Sequence, residues 1–179
     1  MNELFLSVPT KDDIWVKKEI NEDPNSMDYN AGYNVSYAGY NYEDGTIKTD
    51  LKELQLNWLP RWIGQEPNKY FAFVRRFVDG AYIGYVYFKD KTELGQEIGI
   101  VIKGDYRGKG YSTKAIKLLC EKADEMGVKK LFHQIPENRV AAIKADLNNG
   151  FIIVNRDIHC HFTKFGKIEN EVLLIREKR

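Results

Sequence analysis

The chain has 179 residues, a length that fits one domain with a single core, whereas two domains would each be marginal. Hydrophobic residues make up 43% and charged residues 30%, a composition that argues against a disordered or membrane-spanning protein. The formal net charge is +1, which excludes the strongly basic field of a general nucleic-acid binder.

The cysteine content and the N-terminal residues indicate the compartment. Cys120 and Cys160 are too few for a disulfide framework, so we interpret them as reduced thiols. The chain shows no charged N-terminal region followed by an apolar run, and no stretch approaches about 18 uninterrupted apolar residues. We therefore expect a cytoplasmic protein without a membrane segment.

The first predicted elements are a strand and a helix. Residues 3–8 predict a strand that Pro9 ends. Residues 11–20 predict an amphipathic helix, because Thr10 and Asp13 stand before it in capping-box spacing.

An irregular segment, a helix and a hairpin follow. Residues 21–45 are rich in Asn, Asp, Gly and Tyr, which is typical of an ordered but irregular segment. Residues 46–64 carry leucines and tryptophans at helical spacing. Residues 70–77 and 81–88 predict two strands joined through Asp79-Gly80, a pair that tolerates positive φ.

The second half alternates strands and helices. Residues 96–102 predict a strand on which the isoleucines share one face and Glu97, Gly99 and Val101 share the other. A helix is predicted from Gly110 to just before Gly127. The rest predicts a strand, a helix and two strands, at residues 129–135, 138–149, 151–162 and 171–175.

The most informative motif is the glycine-rich loop Arg107-Gly108-Lys109-Gly110-Tyr111-Ser112. Its glycines allow a tight turn and a close approach of the backbone to a ligand. The first amides of the following helix have no intrahelical acceptor and lie at the positive end of the helix dipole, so they suit a pyrophosphate. Arg107 and Lys109 add cationic side chains that can contact phosphate oxygens.

Two other phosphate-binding motifs are excluded by spacing. A Walker loop requires glycine where Lys103 stands and Ser or Thr where Gly110 stands. The dinucleotide fingerprint requires a third glycine where Thr113 stands.

Residues 97–151 resemble the central half of the GNAT superfamily of acyl-CoA-dependent N-acetyltransferases. The signature of that family is Gln or Arg, two residues, Gly, one residue, then Gly or Ala. Arg107, Gly110 and Ser112 occupy those places, the last with a slightly larger residue. The branched strand before the loop resembles the family's pantetheine-binding strand, and the segment ending in Gly150-Phe151 resembles its second motif.

The resemblance implies an α/β (α+β) fold: one domain over residues 1–179, with a mixed, mostly antiparallel sheet of about seven strands and helices on both faces. It also implies acetyl-CoA as cosubstrate. The pantetheine arm would pair with Ile100, Val101 and Ile102. The pyrophosphate would bind to the backbone of Arg107, Gly108, Lys109, Gly110, Tyr111, Ser112 and Thr113.

The same resemblance implies a further cofactor contact at the start of the second helix. The family's asparagine there corresponds to Asn138. However, the interval from Asn138 to Gly150 is one residue longer than usual, and Arg139 takes the expected place. A simple helix N-cap is an equally good interpretation of Asn138.

Family members usually transfer acetyl by direct attack of a neutral amine, which requires a base, a polarised carbonyl and an acid for the thiolate. Glu97 is the first candidate base, directly or through a water, and His133 is a second. The alternatives are a solvated carboxylate for Glu97 and a structural role for His133. Where the family often has an acid tyrosine, this chain has Ala145 and Asp146, so the acid is unassigned.

A metal is not expected. His159 and His161 share one strand face, but no third ligand has suitable spacing.

The tyrosine-rich segment carries Asp28, Glu43 and Asp44 among its aromatic residues, a combination that suits a cationic amine. The leading hypothesis is therefore acetyl transfer to a primary amine, such as a polyamine, an aminosugar antibiotic or a protein N-terminus. The alternative is a non-catalytic acyl-CoA-binding sensor or scaffold. Acetyl-CoA and an amine acceptor are the expected partners, without nucleic acid or membrane, and a homodimer is left open.

Overall fold

A seven-stranded sheet organises the chain in the computed structural model, which describes residues 3–162 and 168–178. The strands are β1 (Leu4–Ser7), β2 (Tyr70–Arg76), β3 (Tyr82–Thr92), β4 (Gly95–Ile102), β5 (Lys130–Pro136), β6 (Ile152–Phe162) and β7 (Ile168–Glu177). Their order is β1-β2-β3-β4-β5-β7-β6, and only the β4–β5 pair is parallel among the pairs described. The predicted mixed, mostly antiparallel sheet is confirmed.

Six α-helices accompany the sheet in the described residues. They are α1 (Trp15–Glu22), α2 (Pro24–Met27), α3 (Leu51–Glu53), α4 (Leu59–Trp62), α5 (Tyr111–Glu125) and α6 (Val140–Leu147). A π-helical turn, Leu54–Trp58, joins α3 to α4. None of the helices in the described part of the chain has the length and apolar character that crossing a membrane requires.

The helices cover both faces of the sheet, as predicted. One buried cluster joins α5 and part of α6 to the sheet and includes Ile98 and Ile102, with Ile100 packed against it. The other joins α1 and the α3–α4 region to the opposite face and includes Val101. We call these the α5 face and the α1 face. The predicted division of β4 into two faces is confirmed.

The ends of two predicted helices differ from the structure. Asp13 Oδ1 accepts hydrogen bonds from Thr10 N at 2.6 Å and Thr10 Oγ1 at 3.1 Å, as the capping-box spacing predicts. The amides of Val16 and Lys17 nevertheless donate to the carbonyl oxygens three residues back, so residues 11–14 form turns and α1 begins at Trp15. The last predicted helix begins at Val140, because Arg139 has φ −87° and ψ 59°, outside the helical region.

Two other predicted segments also differ from the structure. The predicted helix at 46–64 is shorter and includes the π-turn, since Pro60 lacks the amide that would continue α-helical bonding. In the β2–β3 hairpin, Gly80 alone adopts positive φ (69°) and Asp79 does not.

The parallel pair β4–β5 opens into a fork. The strands pair only at Gln96 with Leu131 and at Glu97 with Phe132. Beyond that point, residues 98–102 of β4 and 133–136 of β5 do not pair with each other in the described structure. β5 instead stays paired with β7 along its other edge. We call the space between these two unpaired edges the fork.

Candidate functional site

The β4 side of the fork is an unpaired strand edge. Residues 98–102 pair with β3 along their other edge, from Ile98 with Phe88 to Ile102 with Gly84. An unpaired edge offers peptide N–H and C=O groups to an extended ligand with amides of its own. Ile100, Val101 and Ile102, the residues predicted to pair with the pantetheine arm, lie on this unpaired edge.

The glycine loop follows directly at the open end of this edge. Gly108 has φ 74° and Gly110 φ 77°, left-handed values that favour glycine, and a Cβ at either would meet nothing within 4 Å. Within the described residues, no protein group accepts a hydrogen bond from the amides of residues 108–113. Exposed donors at the start of a 15-residue helix fit a pyrophosphate.

The side chains of the loop mostly bind the protein itself. Arg107 Nη1 donates to Asp28 Oδ1 at 2.6 Å, Nε donates to Ile102 O at 3.2 Å, and Nη2 donates to Ser26 O. Lys109 Nζ donates to Asp105 O at 2.8 Å. Arg107 therefore holds the loop in position and is less available to phosphate than its sequence position indicated.

The first turn of α5 is anchored in the same way. The Tyr111 side chain is buried in the core of the α5 face. Thr113 O accepts from Asn149 Nδ2 at 3.0 Å, which ties the start of α5 to the end of α6. Ser112, at the last signature position, is partly exposed in the first turn of α5.

The two candidate bases lie near the closed end of the fork but on opposite faces. Glu97 is on the α1 face and forms an ion pair with Lys89 at 3.3 Å, with 37% of its side chain exposed. His133 is the first β5 residue beyond the last β4–β5 pair. Its Nδ1 lies 2.8 Å from Asp146 Oδ2, which places it against α6 on the α5 face.

Asp146 is fully buried, and its Oδ1 has no hydrogen-bond partner among the described residues. Removing a buried carboxylate from water is costly unless it is paired or hydrogen-bonded. The structure therefore gives His133 a partner that holds the imidazole on the α5 face, away from Glu97.

A tyrosine that sequence analysis did not select lies over β4. Tyr87 and Gly99 are register partners, and a Cβ at residue 99 would overlap the end of the Tyr87 ring and its hydroxyl. Burial raises the pKa of Tyr87 above its ordinary value. The sequence signal for Tyr87 is an aromatic residue that faces a glycine on the neighbouring strand. That signal can be read only when the register between β3 and β4 is known.

The tyrosine segment, residues 28–42, crosses the fork on the α1 face. Asp28 binds Arg107 on the β4 side, as described above. On the β5 side, Arg139 Nη2 donates to Tyr29 O and lies 2.9 Å from Tyr33 Oη, which donates to Glu169 Oε2 at 2.6 Å. The segment is thus held from both sides of the fork.

The remaining predicted residues are placed as follows. Asn138 Nδ2 donates to Glu169 Oε1 at 3.3 Å, and Asn138 precedes the N-cap residue Arg139, so it does not cap α6. Asp44 accepts from Thr46 N at 3.0 Å in a local turn. The side chains of His159 and His161 lie outside the described residues. Among the side chains that are described, no group of three or more His, Cys, Asp or Glu could hold a metal.

Lys17 of α1 lies among aromatic rings on the α1 face. Its Nζ is 4.9 Å from the ring centre of Tyr85, 5.2 Å from that of Trp58 and 5.5 Å from that of Phe71. No ion pair with Lys17 is formed within the described part of the chain. The loss of water lowers its pKa to about 8.

Comparison with known proteins identifies the family. The model of the acetyltransferase (GNAT) family matches residues 30–151, more than half of the chain. The solved structure of spermidine N-acetyltransferase from Vibrio cholerae in complex with CoA and spermine has a TM-score of 0.76 at 15% identity, covering 99% of this chain and 96% of that one. That of yncA from Salmonella typhimurium with acetyl-CoA has a TM-score of 0.72 at 18% identity, covering 98% and 94%.

Curated protein sequences gave no match. The family match agrees with the fork and the glycine loop described above, which lie within its bounds. The chain belongs to the acetyltransferase (GNAT) family, a family of acetyl-CoA-dependent N-acetyltransferases.

Proposed function

We propose that this protein transfers the acetyl group of acetyl-CoA to a primary amine of a cationic acceptor, by direct attack of the neutral amine on the thioester. The observation that carries the proposal is the continuity between the unpaired edge of residues 98–102 and the free amides of residues 108–113. A ligand with a diphosphate at one end and an amide-containing arm matches both features.

The fold supports one direction for the arm. The loop lies at the Ile102 end of β4, and the fork closes at Glu97. The edge from Ile98 to Ile102 is about 13 Å long at the usual rise of a strand. With its diphosphate on the loop, the arm brings the thioester toward the closed end of the fork.

Glu97 is the base in this proposal. Its carboxylate is partly exposed on the α1 face at the closed end, where it can take the amine proton directly or through a water. His133 contacts Asp146 on the other face. A base must reach the attacking nitrogen. We place the acceptor on the α1 face, beside the tyrosine segment, so Glu97 is better placed than His133.

A cationic acceptor is supported by the groups on the α1 face around the fork. Tyr29 and Tyr87 both pack against the buried cluster of the α1 face, the same face of β4 on which Glu97 lies. Aromatic faces and carboxylates together favour a cation. The Vibrio cholerae neighbour was solved with spermine, and polyamines are therefore the first acceptors to test.

The test is the release of CoA thiol over a panel of amines: spermidine, spermine, an aminosugar and a peptide with a free N-terminus. We expect release with at least one of them, fastest with a polyamine, together with a product heavier by one acetyl group. If acetyl-CoA binds and none of the panel releases thiol, the non-catalytic sensor or scaffold replaces this proposal.

A further inference from the structure

We propose that the Tyr87 hydroxyl donates a hydrogen bond to the carbonyl oxygen of the bound thioester and stabilises the negative charge that develops there during transfer. The inference rests on the proposed function and extends it. It supplies the group that polarises the carbonyl, which the sequence does not identify.

The position of the hydroxyl is fixed by two strands. Tyr87 of β3 projects on the α1 face across its register partner, Gly99 of β4, which has no side chain to block it. Gly99 belongs to the unpaired edge of the fork and lies two residues beyond Glu97 on the same face. This spacing is about 7 Å along a strand, enough for a thioester between the two polar groups.

The hydroxyl is available to a ligand. No described residue forms a hydrogen bond with Tyr87 Oη, and the oxygen is not among the fully enclosed polar atoms without a partner. The hydroxyl of Tyr85, the neighbouring tyrosine on the same face of β3, already has a partner. It is buried and donates to Asn21 Oδ1 at 3.2 Å. Of these two tyrosines on β3, Tyr87 therefore has the free hydroxyl.

The chemistry favours a donor that keeps its proton. In the transfer step the amine nitrogen forms a bond to the carbonyl carbon, the C–S bond breaks, and its electron pair leaves on sulfur. The amine proton passes to Glu97, and the departing thiolate takes a proton from solvent. Burial raises the pKa of Tyr87, so the hydroxyl remains neutral and stabilises the oxygen by hydrogen bonding alone.

The direct test is isotope-edited infrared spectroscopy of acetyl-CoA, labelled with 13C at the carbonyl, bound without an amine. A hydrogen bond to the oxygen lowers the carbonyl stretching frequency. We expect a higher frequency in Tyr87→Phe than in the unmodified protein, and no change in Tyr85→Phe. Equal frequencies in the unmodified protein and Tyr87→Phe would overturn the assignment.

Turnover gives a second readout. Tyr87→Phe should lower kcat by about 100-fold, as loss of one oxyanion donor does, with the Kd for CoA unchanged. The same loss is expected with the selenoester analogue of acetyl-CoA, whose selenol leaves without an acid. Recovery of the variant by the selenoester would mean that Tyr87 protonates sulfur, which contradicts the proposal.

These results are separable from the proposed function. If no amine is acetylated but the infrared shift depends on Tyr87, the hydrogen bond stands and the activity does not. If an amine is acetylated and the shift is absent, the activity stands and the hydrogen bond does not.

Discussion

Arg107 Nη1 donates to Asp28 Oδ1 over 2.6 Å, which joins the glycine loop to the tyrosine segment at the open end of the fork. The contact places a carboxylate against the first residue of the loop whose amides are proposed to bind the pyrophosphate. Asp28 therefore orders the loop through Arg107 and also lowers the positive potential that an anion would meet.

Asp28→Asn should tighten CoA binding by about two- to fivefold at low salt, because it removes one negative charge and keeps an oxygen that can accept from Arg107. Exposed charges are screened by salt, so the gain should fall as ionic strength rises. Isothermal titration of CoA at two salt concentrations measures the change, with Asp12→Asn as an exposed control of equal charge. Weaker binding by Asp28→Asn would show that the ordering of Arg107 outweighs the charge.

Gly110→Asp should abolish CoA binding, because it places a carboxylate at the pyrophosphate site, where juxtaposed like charges cost several kcal/mol. Gly64→Asp is the matched control, since Gly64 has φ 74° and Gly110 φ 77°, and a Cβ at either meets nothing within 4 Å. Both variants should lose about 1–2 kcal/mol of stability through left-handed strain. Thermal melting and CoA titration separate the two effects. Equal CoA affinity in both variants would contradict the loop assignment.

Local pattern was sufficient for the glycine loop and for the faces of β4. The loop needs glycine at 108 and 110, and the alternation of Ile98, Ile100 and Ile102 is a property of any strand. Both features depend on near neighbours in the chain. The resemblance to a family added the sheet and its approximate strand number.

Long-range contacts were not predictable in this way. Tyr87 lies over Gly99 only because β3 and β4 adopt one register, and His133 meets Asp146 only because α6 packs beside α5 on the α5 face of the sheet. Of the two interpretations of Asn138, the helix N-cap does not hold, because Arg139 is the N-cap residue of α6. Each of these outcomes depends on tertiary packing, which overrides local preference.

Glu97→Gln should lower kcat by about 100-fold, because the amide cannot accept the amine proton, while the Kd for CoA stays the same. Glu93→Gln is the control, since Glu93 is an exposed carboxylate in the β3–β4 turn. Steady-state kinetics with the best amine of the panel measures both variants. A Glu97→Gln enzyme with full turnover would remove Glu97 from the mechanism.

Lys17 should make the protein more stable as pH rises from about 8 to 10.5. Its pKa is about 8 in the folded protein against an ordinary 10.5, because the site among Tyr85, Trp58 and Phe71 removes water from the ammonium group. In this window the unfolded chain holds a proton that the folded chain has released, so alkali favours the folded state. Below about pH 8 both states are protonated, and the folded state bears the full cost of a charge that has lost part of its water.

Lys17→Met removes the charge and keeps a long apolar side chain in its place. Denaturant unfolding of both proteins at pH 7 and at pH 10 gives the difference in free energy of unfolding at each pH, and other titrating groups cancel. From pH 7 to pH 10, the free energy of unfolding of the unmodified protein should rise by up to about 3 kcal/mol more than that of the variant. Parallel stability curves would mean that Lys17 keeps an ordinary pKa, and that the aromatic rings compensate for the lost water.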